Sequence, residues 1–331
     1  LLISCDNKPF TTSFKGIDTE TRDLLSIKDY VLILDEVMNV VEEVEISKQD
    51  LKIILEKYVI TNERNEMVWT DPNYTGKYEE YKKMCEEGSL ILVRDTVIMW
   101  KFPAEVFKYF KEVYILTYMF DAQIQKYYFD YYNLQYNYKT IDRDDNNNYI
   151  IVEKGQSKYE HEKKIQIKGL VDLYKGKNNN IGKADNALSK TWFINNKDNV
   201  LMETLKKNIF NFYKNYCKTK TEKNAWTTFK SFKITLQGKG YTKGYITLNM
   251  RATNEFQDKT SMVYASNMYI KPFLKAVFQD GGIKIDEEKW ALSEMLQWIW
   301  RGSIRKNEPM KLYIPSYRMR SLFERWLNNE I

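Results

Sequence analysis

The chain of 331 residues carries one histidine and three cysteines. The histidine, His161, lies in the polar run YEHEKK, so any histidine-dependent triad or proton relay would have to pass through that position, and such mechanisms are set aside. Cys5, Cys85 and Cys217 are far apart, form no CxxC pair, and with a single histidine cannot build a zinc cluster. They read as reduced structural thiols. Long hydrophobic runs are also missing, since nothing approaches the roughly 18 consecutive apolar residues of a membrane helix. The opening LLISCDN brings an aspartate too early for a secretion signal, so the expected location is the cytoplasm, without a membrane partner.

What is present points to a folded chain. Hydrophobic residues make up 43 % and aromatic residues 15 %, enough to bury a substantial core, and the length suits two domains. A formal charge of +6 is compatible with a nucleic-acid partner without demanding one. Short strand-like runs recur: LILV at 90–93, VYIL at 113–116, YIIV at 149–152, YITL at 245–248 and KLYI at 311–314. Continuous apolar runs suit strands buried on both faces of a parallel sheet. Helical patterns fall between them. Ser47 and Asp50 open a capped helix with Leu51, Ile54, Leu55, Tyr58 and Val59 at helical spacing, and Met202, Leu205, Ile209, Phe212, Tyr213 and Tyr216 repeat the pattern. Strands alternating with helices predict α/β layers.

Between residues 139 and 190 the composition turns polar and asparagine-rich, in DRDDNNN, GQSKYEHEKK and GKNNNIGKADN. That change predicts a domain connection, with YIIV and IKGLVDLY as short ordered pieces. The expected division is a first domain over 1–140, a polar connection over 141–190 and a second domain over 191–331. Trp69, Trp100, Trp192, Trp298 and Trp326 are read as core residues before base-stacking ones.

The stretch VLILDEV sets four apolar residues, Val31 to Leu34, before the acidic pair Asp35 and Glu36. An acidic pair at the carboxyl end of a buried parallel strand stands where α/β sheets place ligands. One carboxylate can hold magnesium through its water shell while its neighbour orients or deprotonates an attacking water, two tasks of phosphoryl transfer. The bland alternative is a solvated turn. In ALSEMLQWIWRGSIR a continuous helix would put Gln297, Arg301 and Arg305 at about 0°, 40° and 80° around its axis, with Leu292, Met295, Leu296 and Ile299 opposite.

Taken in order, these segments resemble superfamily 2 helicases and translocases, particularly the divergent DExD/H-type helicase-like proteins of phages and mobile elements. LILDEVM is similar to that family's motif II, and EVYILTYMF, ending in Thr117 and Tyr118, to motif III. WTTFK at 226–230 occupies the place of motif IV, and KGYTKGYITLNMRATNEF, with Arg251, Thr253 and Asn254, that of motif V. The Gln297, Arg301 and Arg305 segment resembles motif VI, although the arginines are four residues apart where the family commonly has three.

The resemblance implies two RecA-like lobes with mainly parallel sheets flanked by helices, and an ATP-dependent nucleic-acid helicase or translocase. ATP and Mg2+ would bind between the lobes, with Asp35 on the metal, Glu36 activating water and Thr117 relaying closure. Gln297 and Arg301 would complete the nucleotide site, Arg305 beside them, and Arg251, Thr253 and Asn254 would hold nucleic-acid phosphates. The implied partner is nucleic acid, DNA before RNA, with replication or packaging proteins in a bacterial or phage-infected cell.

One expected part is missing. No GxxxxGK[ST] phosphate loop occurs in the 331 residues, and GKGYTKG and GLVDLYKGKNNN lack its spacing and its lysine-hydroxyl end. The family places that loop before motif II, which implies a first lobe lacking its leading portion and a chain inactive by itself as an ATPase. LLISCDNKPFTTSF then stands in the place of motif Ia, with Ser4 and Thr11 toward nucleic acid. Two rivals follow: a nucleotide-independent nucleic-acid-binding or assembly protein with a motor-derived fold, and, below it, a phage terminase-type motor.

Overall fold

A computed structural model describes residues 30–250 and 255–331. The chain divides into two units, one reaching Gln135 and taking back Ile270–Asp286, the other made of Tyr136–Tyr269 and Glu287–Ile331. The fold is α/β.

In the first unit β1 (Val31–Leu34) runs parallel to the later β7 (Glu112–Ile115), with Val31 opposite Glu112 and Leu34 opposite Ile115. Leu32 and Leu34 are buried, whereas Val31 and Ile33 are 40 % and 57 % exposed. The strand is therefore covered on one face, although its composition predicts burial on both. Between these strands come β2 (Val41–Glu43), α1 (Lys48–Lys57), β3 (Val59–Thr61), β4 (Met67–Trp69), α2 (Glu79–Glu86), β5 (Leu90–Val93) and β6 (Val97–Lys101). β2, β6 and β5 form one antiparallel sheet and β3 with β4 another. LILV is thus β5 of a hairpin, not a parallel strand. Arg94 and Asp95, at φ 50° and 55°, make its turn, the left-handed pair that matches strand twist in a tight hairpin. The mainly parallel first lobe expected from sequence is corrected accordingly: among the described residues only β1 and β7 pair in parallel there.

Ser47 caps α1 as expected, its hydroxyl accepting the Asp50 N–H at 3.1 Å. Asp50 also accepts from Lys77 and from the Tyr78 hydroxyl, and the Lys77 hydrogen bond, seconded by Tyr78, holds its carboxyl down at about 2. Helix α3 (Ile124–Tyr131) closes this part, and a helix over Pro272–Asp280 (α8 in chain order) returns to the unit, where Phe278 meets Tyr131 edge-on at 6.3 Å. Trp69 stacks on Tyr58 at 5.2 Å, while Trp100, Trp298 and Trp326 are buried in their respective units, in keeping with core roles.

The second unit opens with a hairpin of β8 (Lys139–Arg143) and β9 (Tyr149–Glu153), then α4 (Lys158–Leu170) and β10 (Val171–Leu173). This is the segment expected to be a polar connection. Its polar side chains instead build turns and caps: Asp144 accepts the N–H groups of Asn146 and Asn148, Ser157 accepts that of Glu160 at the start of α4, and Asp142 accepts those of Lys158 and Tyr159. The remaining elements are α5 (Lys190–Asn196), α6 (Val200–Asn211), β11 (Asn224–Thr227), α7 (Lys233–Leu236), β12 (Ser261–Tyr264), α9 (Glu287–Ile299), β13 (Met310–Tyr313) and α10 (Tyr317–Leu327).

β10, β13, β12 and β11 lie side by side in that order, all parallel. Trp226, Val263 and Tyr313 project toward α5, α6 and α7, where Phe193, Leu205, Phe212 and Leu236 are buried with them. Each large side chain enclosed there contributes roughly 1.5–3 kcal/mol by leaving water. The alternate residue Tyr264 faces Trp298 of α9 at 5.5 Å, and α10 packs on α9. Both faces of this sheet are covered, and its central strands are buried although they carry polar residues such as Asn224, Thr227 and Ser261. YITL at 245–248 is no strand: a Cβ at Gly244 would sit 2.2 Å from the Asn224 carbonyl oxygen, and beyond that close approach the segment makes a single bridge, Tyr245 to Trp226.

Candidate active site

Asp35 and Glu36 leave the end of β1 as an exposed bend. The parallel pairing brings the end of β7 beside them, because the Leu116 N–H donates to the Leu34 carbonyl at 2.8 Å. The Thr117 hydroxyl then donates to Glu36 Oε2 at 3.3 Å. Residues 81 positions apart in sequence meet through strand register alone. Glu36 takes φ 113°, a conformation that costs a side-chain-bearing residue on the order of 1–3 kcal/mol and persists where surrounding structure imposes it.

Two neighbouring groups were not found from sequence. Val37 is buried immediately after the pair, and the Met38 N–H donates to Gln125 Oε1 at 3.0 Å, so α3 holds the segment that follows the acids. Gln125 is 1 % exposed and its Nε2 has no partner among the described residues; the Nε2 of Gln123 is in the same position. The available signal was the pair of amides in DAQIQKYYF, polar side chains leading into an aromatic helix whose Tyr127, Tyr128 and Phe129 are buried.

The donor set suits a magnesium ion that keeps most of its water. No three His, Cys, Asp or Glu side chains gather as a metal cage among the described residues. Mg2+ is ordinarily held by one or two carboxylates together with substrate phosphates, and Asp35 with Glu36 and the Thr117 hydroxyl offers that smaller set.

The motif VI expectation needs correction. Helix α9 ends at Ile299, so the single helical face carrying Gln297, Arg301 and Arg305 does not form. Arg301 and Gly302 close the helix with bonds to Trp298 and Ile299, Ser303 N–H then donates to the Lys259 carbonyl, and Arg305 belongs to a separate short turn over Ser303–Lys306. The cause is packing. A Cβ at Gly302 would lie 2.3 Å from both Met262 Sδ and Met310 Cε, so the chain turns where glycine lets it press on the ends of β12 and β13. Gln297 and Arg301 stay half-buried, and Arg305 is exposed.

Ser4, Thr11, Arg251, Thr253 and Asn254 lie outside the described residues, as does Cys5. Cys85 and Cys217 are free and buried, and burial pushes their thiols up to about 12 and about 11, as inert structural cysteines require. Among the described residues no helix is long and apolar enough to cross a membrane.

A parallel sheet covered by helices on both faces defines the second unit as a Rossmann-like α/β domain, and residues 165–327 match the family description "YonV C-terminal Rossmann-like domain". Residues 41–100 match "YonV middle domain". The chain is 41 % identical over 335 residues to the SPbeta prophage-derived uncharacterized protein YonV of Bacillus subtilis strain 168, covering 98 % of this chain and 81 % of that relative. The chain belongs to the YonV family. No solved structure matches it.

Proposed function

We propose that this protein works as an ATP-dependent nucleic-acid helicase or translocase, with Asp35, Glu36 and Thr117 as the hydrolytic part of its site. The observation that carries this reading is the Thr117 hydroxyl on the Glu36 carboxylate, at the carboxyl ends of two parallel strands. Asp35 and Glu36 differ in role because only Glu36 is oriented by Thr117. Asp35 is the magnesium-side carboxylate, and the ion supplies charge neutralisation at the phosphates. Glu36 accepts the proton of the attacking water. Thr117 fixes the rotamer of Glu36 and reports on its position through the β7 end, while Gln125 holds the following backbone. The partner is nucleic acid, DNA before RNA.

The test is ATP hydrolysis by the full-length protein with magnesium, with and without single-stranded nucleic acid. Stimulated hydrolysis that falls on the order of 100-fold or more in Glu36→Gln supports the reading, the size expected when a general base is removed. A full-length protein that hydrolyses no ATP, or a Glu36→Gln variant at the unmodified rate, overturns it. Nucleic-acid binding without hydrolysis would then assign the fold to a nucleotide-independent binding or assembly protein.

A further inference from the structure

The second unit contains a crevice of about 600 Å3 that takes no part in the site above. It opens at the carboxyl ends of β10 and β13. The chain leaving β10 turns through Lys175, Gly176 and Lys177 toward α5 and α6, whereas the chain leaving β13 enters α10, which packs with α9. Core residues of α5 and α6 share their sheet face with Tyr313, and α9 shares the other with Tyr264. Neighbouring strands whose outgoing connections part to opposite faces create the crevice in which open α/β sheets hold ligands.

Four cations line it: Lys175, Lys177, Lys183 and Arg320. The amides of Asn179 and Asn180 stand between them, and no acidic side chain is among the lining residues. Glu324 approaches Lys175 at 3.8 Å from outside, while Lys177 and Lys183 make no ion pair among the described residues. Arg320 Nη1 donates to the carbonyls of Ile314 and Pro315 at 2.8 and 3.1 Å, which fixes the guanidinium and leaves Nε and Nη2 without a bond among the described residues. Tyr317 lies at the rim, 52 % exposed, with the Arg320 guanidinium 5.8 Å from its ring centre.

The site is built rather than incidental. The Asn178 carbonyl accepts from the buried Tyr313 hydroxyl at 2.7 Å and from Asn208 Nδ2 at 3.2 Å, which pins the turn that carries the lysines. A Cβ at Gly182 would lie 1.9 Å from the Pro315 carbonyl oxygen, so only glycine lets this turn close on the start of α10. The segment GKNNNIGK has one residue too many for a phosphate-loop consensus and is followed by Ala184, where that consensus needs a hydroxyl. It reaches a similar result, cations and amides presented after a parallel strand, by side chains.

We propose that this crevice grips the phosphodiester backbone of a single nucleic-acid strand, with Lys177, Lys183 and Arg320 on the phosphates and Tyr317 as a stacking platform for a base. Guanidinium and ammonium groups neutralise phosphates, and an exposed aromatic beside them suits an unpaired base. The proposal shares with the hydrolysis reading only the nucleic-acid partner. The Glu36→Gln variant separates the two, because strand binding at the crevice should survive the loss of hydrolysis.

The test measures fluorescence anisotropy of a labelled single-stranded oligonucleotide with the full chain, over a salt titration. The paired variant Lys177→Glu/Lys183→Glu is compared with Lys190→Glu/Lys197→Glu, which changes the net charge equally on exposed residues of α5 and the turn after it. The crevice variant should lose roughly tenfold or more in affinity, and its dependence of log K on log salt should flatten by roughly 1.4, about 0.7 per phosphate contact removed. Tyr317→Ala should weaken binding of oligonucleotides with little change in that slope. Equal losses in the two charge-reversed pairs overturn the proposal, since the effect would then be general charge. Displacement of the strand by inorganic phosphate or a mononucleotide at the strand's own affinity overturns it as well, assigning the crevice to a free phosphate compound.

Discussion

The two units cover their strands differently. In the second, β11 and β12 are buried throughout and sit in one parallel sheet of four, although they carry Asn224, Thr227 and Ser261. In the first, β5 is wholly apolar and equally buried, yet it belongs to an antiparallel hairpin, and the equally apolar β1 is buried on alternate residues only. Burial on both faces accommodates a continuous apolar run in β5 and a mixed one in β11. An apolar run therefore fixes neither how thickly a strand is covered nor the direction of its neighbours.

The largest expected effect breaks the second unit where its coverage is deepest. Phe193 is fully buried against Phe232 at 5.1 Å, so Phe193→Ala should cost about 3–5 kcal/mol in urea unfolding. Ile33→Ser on the exposed face of β1 should stay within about 0.5 kcal/mol. Similar costs for the two would erase the contrast between a sheet covered twice and one covered once.

A smaller effect concerns the ion pair that crosses the first unit's antiparallel region, Lys101 to Glu66 at 2.9 Å, with the lysine almost wholly buried. Burial pushes the Glu66 carboxyl up, but hydrogen bonds from Asn62 and Lys101 outweigh it and hold the group below its ordinary 4.5. A lowered carboxyl pKa means stabilisation that is complete above that ordinary value and is lost as pH falls through the lowered one. Lys101→Met should cost about 2 kcal/mol at pH 7, less than the about 3–5 kcal/mol of a fully enclosed pair because Glu66 keeps contact with water. The difference from the unmodified chain should shrink in melts at acid pH; a difference independent of pH would contradict the assignment.

The smallest effect sharpens the status of the polar segment between the strands. Ser157→Ala removes the cap of α4 and should lower the stability of the second unit by about 1 kcal/mol. A change of nothing would mean that this helix adds no stability, as a mere connection would.

Sequence made some of this legible because the relevant interactions are local. The Ser47 cap lies three residues from its donor, and the positions of Asp35 and Thr117 follow from where two apolar strands end. Other features depend on contacts distant in sequence. Arg301 and Arg305 part company because Gly302 presses on Met262 and Met310, and no helical-wheel argument contains that contact. DRDDNNN looked like a linker by composition, yet Asp144 turns it into the tip of a hairpin. The amide of Gln125 behind the acidic pair, and the basic crevice beyond β10, appear only when separate segments are brought together.

The most direct test of the central claim is nucleic-acid-stimulated ATP hydrolysis by the full-length protein carrying Glu36→Gln and Thr117→Val singly and together. If Thr117 acts only by orienting Glu36, Thr117→Val lowers the rate alone but adds little to Glu36→Gln, because groups that act as a unit are not additive. Losses that multiply in the double variant, or a Glu36→Gln rate equal to that of the unmodified protein, would contradict the account.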